Sequence, residues 1–206
     1  IRMEDASFVM LGGIALQGFR SAQLSFGENV VVVGLGLIGL ITAQIAKAYG
    51  CTVIGIDVDQ TKTVLAKTLG CDHVFTIGKS DVELAISNVT NGNGADAVLL
   101  CAATKDNKPI VLAETVVRKR GRIVLVGVSD ITLTRKAFWD KEITFTVSRA
   151  SGPWVEGSDT RDLPIEHVRW TERRNHEEFI RLLSSKLISV KELISHSFPF
   201  DSAIDA

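Results

Sequence analysis

The chain has 206 residues, 46% of them hydrophobic, with 23 Lys and Arg against 24 Asp and Glu for a net charge of −1. That length holds one large domain, or one domain with appendages. Near-neutrality argues against a polyanion such as nucleic acid as partner, because such binding needs a concentrated basic surface.

Met3 to Leu24 alternate apolar and small residues at helical spacing, with Glu4 and Asp5 in the first turn, which predicts one or two leading helices. Phe26-Gly27-Glu28 stops them. Val30 to Val33 are four consecutive valines, the pattern of a strand buried on both faces. Gly34-x-Gly36-x-x-Gly39 follows, and an apolar-periodic helix runs from Leu37 to Tyr49. Each glycine has its own reason: Gly34 for a sharp turn, Gly36 for close approach of a pyrophosphate, Gly39 for tight packing of helix on strand. The first amides of that helix, including Leu37 and Ile38, and the positive end of its dipole favour an anion. A second strand, Thr52 to Ile56, ends in Asp57, close to the roughly 20-residue interval expected for an acid that holds an adenosine ribose. Such a carboxylate accepts from both ribose hydroxyls and repels a 2′-phosphate, so the cofactor read from the residues is NAD(H) rather than NADP(H).

Two other readings of this stretch are weaker. No charge occurs from Asn29 to Ala46, which a hydropathy window would flag as a membrane span of minimum length. The three glycines at a strand-to-helix junction, followed by another strand, argue against it, so no membrane is expected. A methyltransferase glycine turn is usually preceded by an acid, and Val33 stands there.

Gln60 to Leu69 predict a short amphipathic helix closed by Gly70, Val74 to Ile77 a third strand, and Asp81 to Val89 a helix before the turn cluster Asn91 to Gly94. Ala97 to Cys101 form a fourth strand, Lys108 to Val117 another helix with Pro109 in its first turn, and Arg122 to Val126 a fifth strand. Arg118-Lys119-Arg120 is expected to be a solvated helix end. Ile143 to Val147 alternate β-branched and aromatic residues, predicting a sixth strand at an edge, where a symmetry mate can pair. Residues 151–172 turn polar and aperiodic, with breaks at Gly152-Pro153 and Leu163-Pro164, and are expected to form an irregular connection. Asn175 to Leu187 predict a final helix.

Strands alternating with helices at this spacing predict a three-layer α/β/α domain over residues 1–150, a doubly wound parallel sheet of the Rossmann type. Ligands of such sheets lie along the carboxyl ends of the strands, which makes Gly34 to Gly39, Asp57, Ala102 to Thr104 and Gly127 to Ser129 the candidate cofactor loops. Cys51, Cys71 and Cys101 are odd in number and far apart, which suits a reducing, cytoplasmic compartment and small apolar core residues. His73, His167, His176 and His196 are scattered, so no metal site is expected.

The order GLGLIG, VIGIDVDQTK, LAKTLGCDHVF, NGNGADAVLLCAA and RKRGRIVLVGV resembles the cofactor domain of medium-chain, zinc-type alcohol and sugar dehydrogenases, over about Glu4 to Val147. The resemblance implies that Asp57 binds the adenosine ribose with Lys62 assisting. It also implies that Cys101, Ala102, Ala103 and Thr104 line the nicotinamide side together with Gly127 and Val128. The closing segment, residues 173–206, is similar to the family's C-terminal helix and return strand, and VRWTERRN with that tail resembles a subgroup fused to a glucose–fructose-oxidoreductase-type domain. Two features depart from the family. Its N-terminal catalytic domain has no counterpart here, and Val9-Met10-Leu11-Gly12-Gly13 stands where many members carry a further zinc ligand. Starting at Ile1 and stopping within a continuing pattern, the chain is expected to be a piece of a longer protein.

The expectation is therefore the NAD(H)-binding part of an enzyme that transfers a hydride, in a direction left open, between nicotinamide and a secondary alcohol, a sugar among the candidates, working as a homodimer through Ile143 to Val147. Its rivals are a zinc-independent NADP(H) reductase of the same superfamily and a non-catalytic NAD(H) sensor. No catalytic acid or base can be assigned; His196 is tempting, but nothing near it completes a dyad.

Overall fold

A computed structural model of the chain describes residues 1–153, 166 and 168–205. Two leading helices, α1 (Met3–Ala6) and α2 (Val9–Ser21), precede strand β1 (Asn29–Val33). There follow α3 (Leu37–Ala48), β2 (Thr52–Asp57), α4 (Gln60–Thr68), β3 (His73–Thr76), α5 (Val82–Val89), β4 (Ala95–Leu100), α6 (Lys108–Val116), β5 (Val117–Leu125), α7 (Arg135–Lys141), β6 (Thr144–Val147) and α8 (Glu172–Ser184). Among the described residues the strands form one six-stranded sheet in the order β3-β2-β1-β4-β5-β6, every neighbour pair parallel.

The valine run explains the layering. Side chains of a strand alternate between faces, so Val30 and Val32 enter one core with Leu16, Phe19, Ile41 and Phe179, while Val31 and Val33 enter a second core with Ile86, Ile110 and Ala113. All four valines are at most 3% exposed. The first core lies under α2, α3 and α8, the second under α5 and α6, which gives the expected three layers.

Four differences from the sequence expectation have physical causes. Strand β5 begins at Val117 and takes in Arg118 to Arg120, which therefore are not a helix end. Arg118 Nε donates to Asp96 Oδ1 at 2.6 Å, and Arg122 reaches Glu28 at 2.7 Å, so Arg118 of the run and the neighbouring Arg122 are anchored by acids at the amino ends of β4 and β1. Helix α7 lacks a periodic apolar stripe and went unread. Helix α8 starts at Glu172, because Thr171 caps it by accepting from the Arg174 amide at 3.3 Å. The return strand is absent from the described residues: past α8 the chain forms only short 3₁₀ turns at Lys191–Leu193 and Phe200–Asp205. Its backbone is satisfied elsewhere, since the Ser189 amide donates to Gln44 Oε1 at 2.8 Å and Gln44 Nε2 donates to the Ser189 carbonyl at 2.9 Å. The expected break at Leu163-Pro164 lies outside the described residues.

Helices α2 and α8 meet where α2 is bare. A Cβ on Gly12 would stand 2.2 Å from the ring of Phe179, which is fully buried. We expect Gly12→Ala to push this ring out of its rotamer and destabilise the chain by about 1–3 kcal/mol, as overpacking does. Urea unfolding measures it, and a change under 0.5 kcal/mol would show that α8 docks loosely.

Candidate functional site

The carboxyl ends of β1, β2, β3 and β4 open into a cleft of about 1010 Å³. Its floor is the turn between β1 and α3. The Gly34 amide donates to the Ile56 carbonyl at 2.8 Å, and Gly34 sits at φ +89°, in the left-handed region that favours glycine. A Cβ on Gly39 would stand 1.9 Å from the Gly34 carbonyl oxygen, so nothing larger than glycine lets α3 start against this turn. A Cβ on Gly36, by contrast, would meet nothing within 4 Å. It would project into open space over the helix end.

The first hydrogen bond closing α3 runs from the Leu40 amide to the Gly36 carbonyl at 2.9 Å. The amides of Leu37, Ile38 and Gly39 have no backbone partner among the described residues. Three free donors, the dipole of a 12-residue helix and an unobstructed approach over Gly36 fit a pyrophosphate. No side chain from Asn29 to Ala46 is charged, so the positive field of that stretch comes from its backbone, and the nearest fixed charge is the Asp57 carboxylate held on the Leu35 amide.

Asp57 ends β2 and is 7% exposed. Its Oδ2 accepts from the Leu35 amide at 2.7 Å and its Oδ1 from the Asp59 amide at 2.9 Å. Those two bonds fix the carboxylate and tie the glycine turn to the tip of β2. Each carboxylate oxygen carries two lone pairs, so one acceptor position per oxygen is left for a ligand. Lys62, in the first turn of α4, lines the same cleft.

At the other end the loop after β4 is pinned on both sides. The Cys101 amide donates to the Val33 carbonyl at 2.8 Å, the Thr104 amide to the Val128 carbonyl at 2.8 Å, and Ala103 bridges Val128. Cys101, Ala102, Ala103 and Thr104 all line the cleft, as do Gly34, Gly36, Leu37 and Ile38. Gly39, Gly127 and Val128 lie outside that lining. Gly39 packs behind Gly34, Gly127 leaves no room for a Cβ beside the Ala102 carbonyl at 2.2 Å, and Val128 is 74% exposed. Ser129 is also outside it.

The sequence reading missed one side of the cleft: Val58, Ile77, Ser80, Asp81, Val82 and Glu83, with Pro109 and Leu112 from α6 and Leu11 from α2. The rule that ligands sit at strand ends reaches Ile77 to Ser80 once applied to β3. His196 does not line the cleft; it stacks on Phe198 with centroids 6.1 Å apart, and its Nδ1 lies 3.0 Å from the Ser195 hydroxyl.

Among the described residues no three His, Cys, Asp or Glu side chains are grouped as a metal ion requires, so these residues do not fit a zinc site and no step is assigned to one. The cysteines are set against thiolate chemistry. Burial pushes the Cys101 thiol up to about 12, partly offset by its contact with the Thr42 hydroxyl, and burial likewise pushes Cys71 to about 12 and Cys51 to about 11.

A family model described as zinc-binding dehydrogenase matches residues 38–163. The chain is 30% identical over 207 residues to a sorbitol dehydrogenase of Halalkalibacterium halodurans, an alignment covering 95% of this chain and 53% of that protein. It is 34% identical over 127 residues to an NAD-dependent alcohol dehydrogenase of Sulfurisphaera tokodaii, covering 61% of this chain and 36% of the other. An alcohol dehydrogenase from Thermus sp. ATN1 shares the fold with a TM-score of 0.82 at 22% identity, covering all of this chain and 55% of its own. The chain thus spans about half the length of the sorbitol dehydrogenase it matches.

The raised thiols have a direct readout. Because the thiolate is the reactive form, we expect all three cysteines of the folded chain to react with a thiol reagent at pH 8 at least about 100-fold more slowly than after unfolding. Rapid native-state modification of Cys101 would overturn its assignment as an inert wall of the cleft.

Proposed function

The chain belongs to the zinc-binding dehydrogenase family, and from that premise we propose that it is the NAD(H)-binding domain of an oxidoreductase acting on a secondary alcohol of the polyol or sugar class. The observation that carries this reading is Asp57: a nearly buried carboxylate, fixed by two amides, beside three unpartnered helix amides under an open Gly36. The acid suits the two ribose hydroxyls and opposes a 2′-phosphate. Nicotinamide, when bound, would carry the hydride, accepting it from the carbinol carbon in oxidation and returning it to the carbonyl in reduction. The chain's own residues bind and orient: the α3 amides hold the pyrophosphate, Asp57 and Lys62 the adenosine ribose, and the Cys101 to Thr104 wall, with Gly127 and Val128 behind it, borders the nicotinamide end. The names of the two aligned relatives, a sorbitol dehydrogenase and an NAD-dependent alcohol dehydrogenase, support the substrate class and the cofactor.

The same reading includes a homodimer and a cytoplasmic location. β6 is an edge strand whose outer side has no partner among the described residues, with Val147 56% exposed on it. Beside it, Phe138 of α7 packs edge-on against Phe145 at 6.4 Å, and Trp139 is 73% exposed, which leaves an apolar border suited to a second copy. Three free cysteines suit a reducing compartment, and among the described residues no helix is long and apolar enough to cross a membrane.

Two measurements test these assignments. In calorimetric titration we expect NADH to bind at least about tenfold more tightly than NADPH, and Asp57→Asn, which keeps an acceptor for Leu35, to level that ratio; tighter NADPH binding would sink the NAD(H) assignment. In sedimentation, Val147→Lys should lower the mass to that of one chain, and an unchanged mass would remove edge pairing.

A further inference from the structure

We propose that Asp81 reads the purine base of the dinucleotide: its free carboxylate oxygen accepts from the exocyclic amine of adenine and makes the cleft selective for 6-aminopurine nucleotides. This inference rests on the NAD(H) reading above and extends it to a part of the cleft to which the family resemblance gave no role.

The backbone brings Asp81 to the tip of β2. β3 pairs with β2 so that Thr76 stands opposite Asp57, and the Ile77 amide donates to the Asp57 carbonyl at 3.0 Å. Gly78 reverses the chain at φ +85°, Ser80 returns to bridge Ile77, and Asp81 follows directly. A ribose held on the Asp57 side chain therefore directs its base toward this loop. The walls there suit a flat aromatic ring: Val58 is 73% and Ile77 41% exposed, both lining the cleft, with Val82 and Leu112 also in the lining. Apolar side chains left open inside a cleft are stabilised when a planar ligand covers them.

Besides Asp57, three carboxylates line the cleft, and they are not equivalent. Asp106 is committed: its Oδ1 accepts from the Lys108 amide at 2.9 Å and its Oδ2 pairs with the Lys108 ammonium at 2.7 Å. Glu83 has no hydrogen bond among the described residues, so nothing there fixes its longer side chain for recognition. Asp81 lies between these cases. Its Oδ1 accepts from the Leu84 amide at 3.0 Å as the cap of α5, which fixes the side chain, while its Oδ2 has no partner among the described residues. A fixed acceptor with one free oxygen is preorganised and loses little freedom on binding. Adenine offers that oxygen an N–H donor, whereas hypoxanthine offers a carbonyl oxygen at the same ring position and is repelled.

The test compares NADH with its hypoxanthine counterpart, deamino-NADH, by fluorescence titration of this chain and of Asp81→Asn. Asparagine caps a helix as well as aspartate does, so the fold is retained, and its amide can donate to a hypoxanthine carbonyl. We expect about a tenfold preference for NADH in the unsubstituted chain, levelled or reversed in Asp81→Asn, with Glu83→Gln unchanged. Binding of NADH with the same ratio in the unsubstituted chain and in Asp81→Asn would overturn the Asp81 assignment alone. Loss of the preference in Glu83→Gln but not in Asp81→Asn would transfer the role and likewise overturn it. Absence of any dinucleotide binding by the folded chain would overturn both this inference and the NAD(H) reading beneath it.

Discussion

The structure depends on one steric constraint, the contact between the start of α3 and the turn that precedes it. The position a Cβ would take on Gly39 lies 1.9 Å from the Gly34 carbonyl oxygen, well inside the distance that any two such atoms tolerate. Because both positions are glycine, α3 begins directly against the end of β1, and its free amides point over the turn. The same helix then runs down the first core, burying Leu40, Ile41, Ile45 and Ala46 and packing against α2. Site and core share one rigid element, so the free amides at the start of α3 inherit the stability of the buried interior.

A second tie completes the arrangement. The Asp57 carboxylate is held by the Leu35 amide, which joins the tip of β2 to the glycine turn at the end of β1. The group suited to a ribose and the group suited to a pyrophosphate are thereby set at a fixed separation, without a flexible side chain between them. The opposite end of the sheet is held differently, by the ion pairs of Arg118 and Arg122 with Asp96 and Glu28. The glycine turn itself bears no charged side chain, whereas the rest of the cleft is lined by Asp57, Lys62, Asp81, Glu83, Asp106 and Lys108.

What the sequence made legible follows from how local each signal is. The valine run and the glycine spacing are short-range steric facts, so β1, α3 and the turn could be read from them, and Asp57 from its interval. The parallel order of the strands followed from the alternation of elements. Features set by distant partners were not legible. Arg118 to Arg120 resemble a helix end until Asp96 and Glu28 come alongside. Ser189 lies in a stretch similar to a family strand, yet Gln44, far away in sequence, satisfies its backbone. Asp81 reads in the sequence only as the start of a helix, and its presence in the cleft depends on β3 pairing beside β2, a tertiary fact.

The amides of Leu37, Ile38 and Gly39 belong to the main chain, which has evolutionary consequences. Main-chain donors do not titrate, and replacing a side chain does not delete them. Leu37 and Ile38 can drift among residues that keep a helix, while the anion-binding geometry persists. Only an added Cβ at the turn or a break in the helix removes it. Selection on this half of the cleft therefore acts on the absence of atoms at Gly34, Gly36 and Gly39, and the chemical identity of a cofactor is left to be tuned elsewhere, by the few side chains at the neighbouring strand ends.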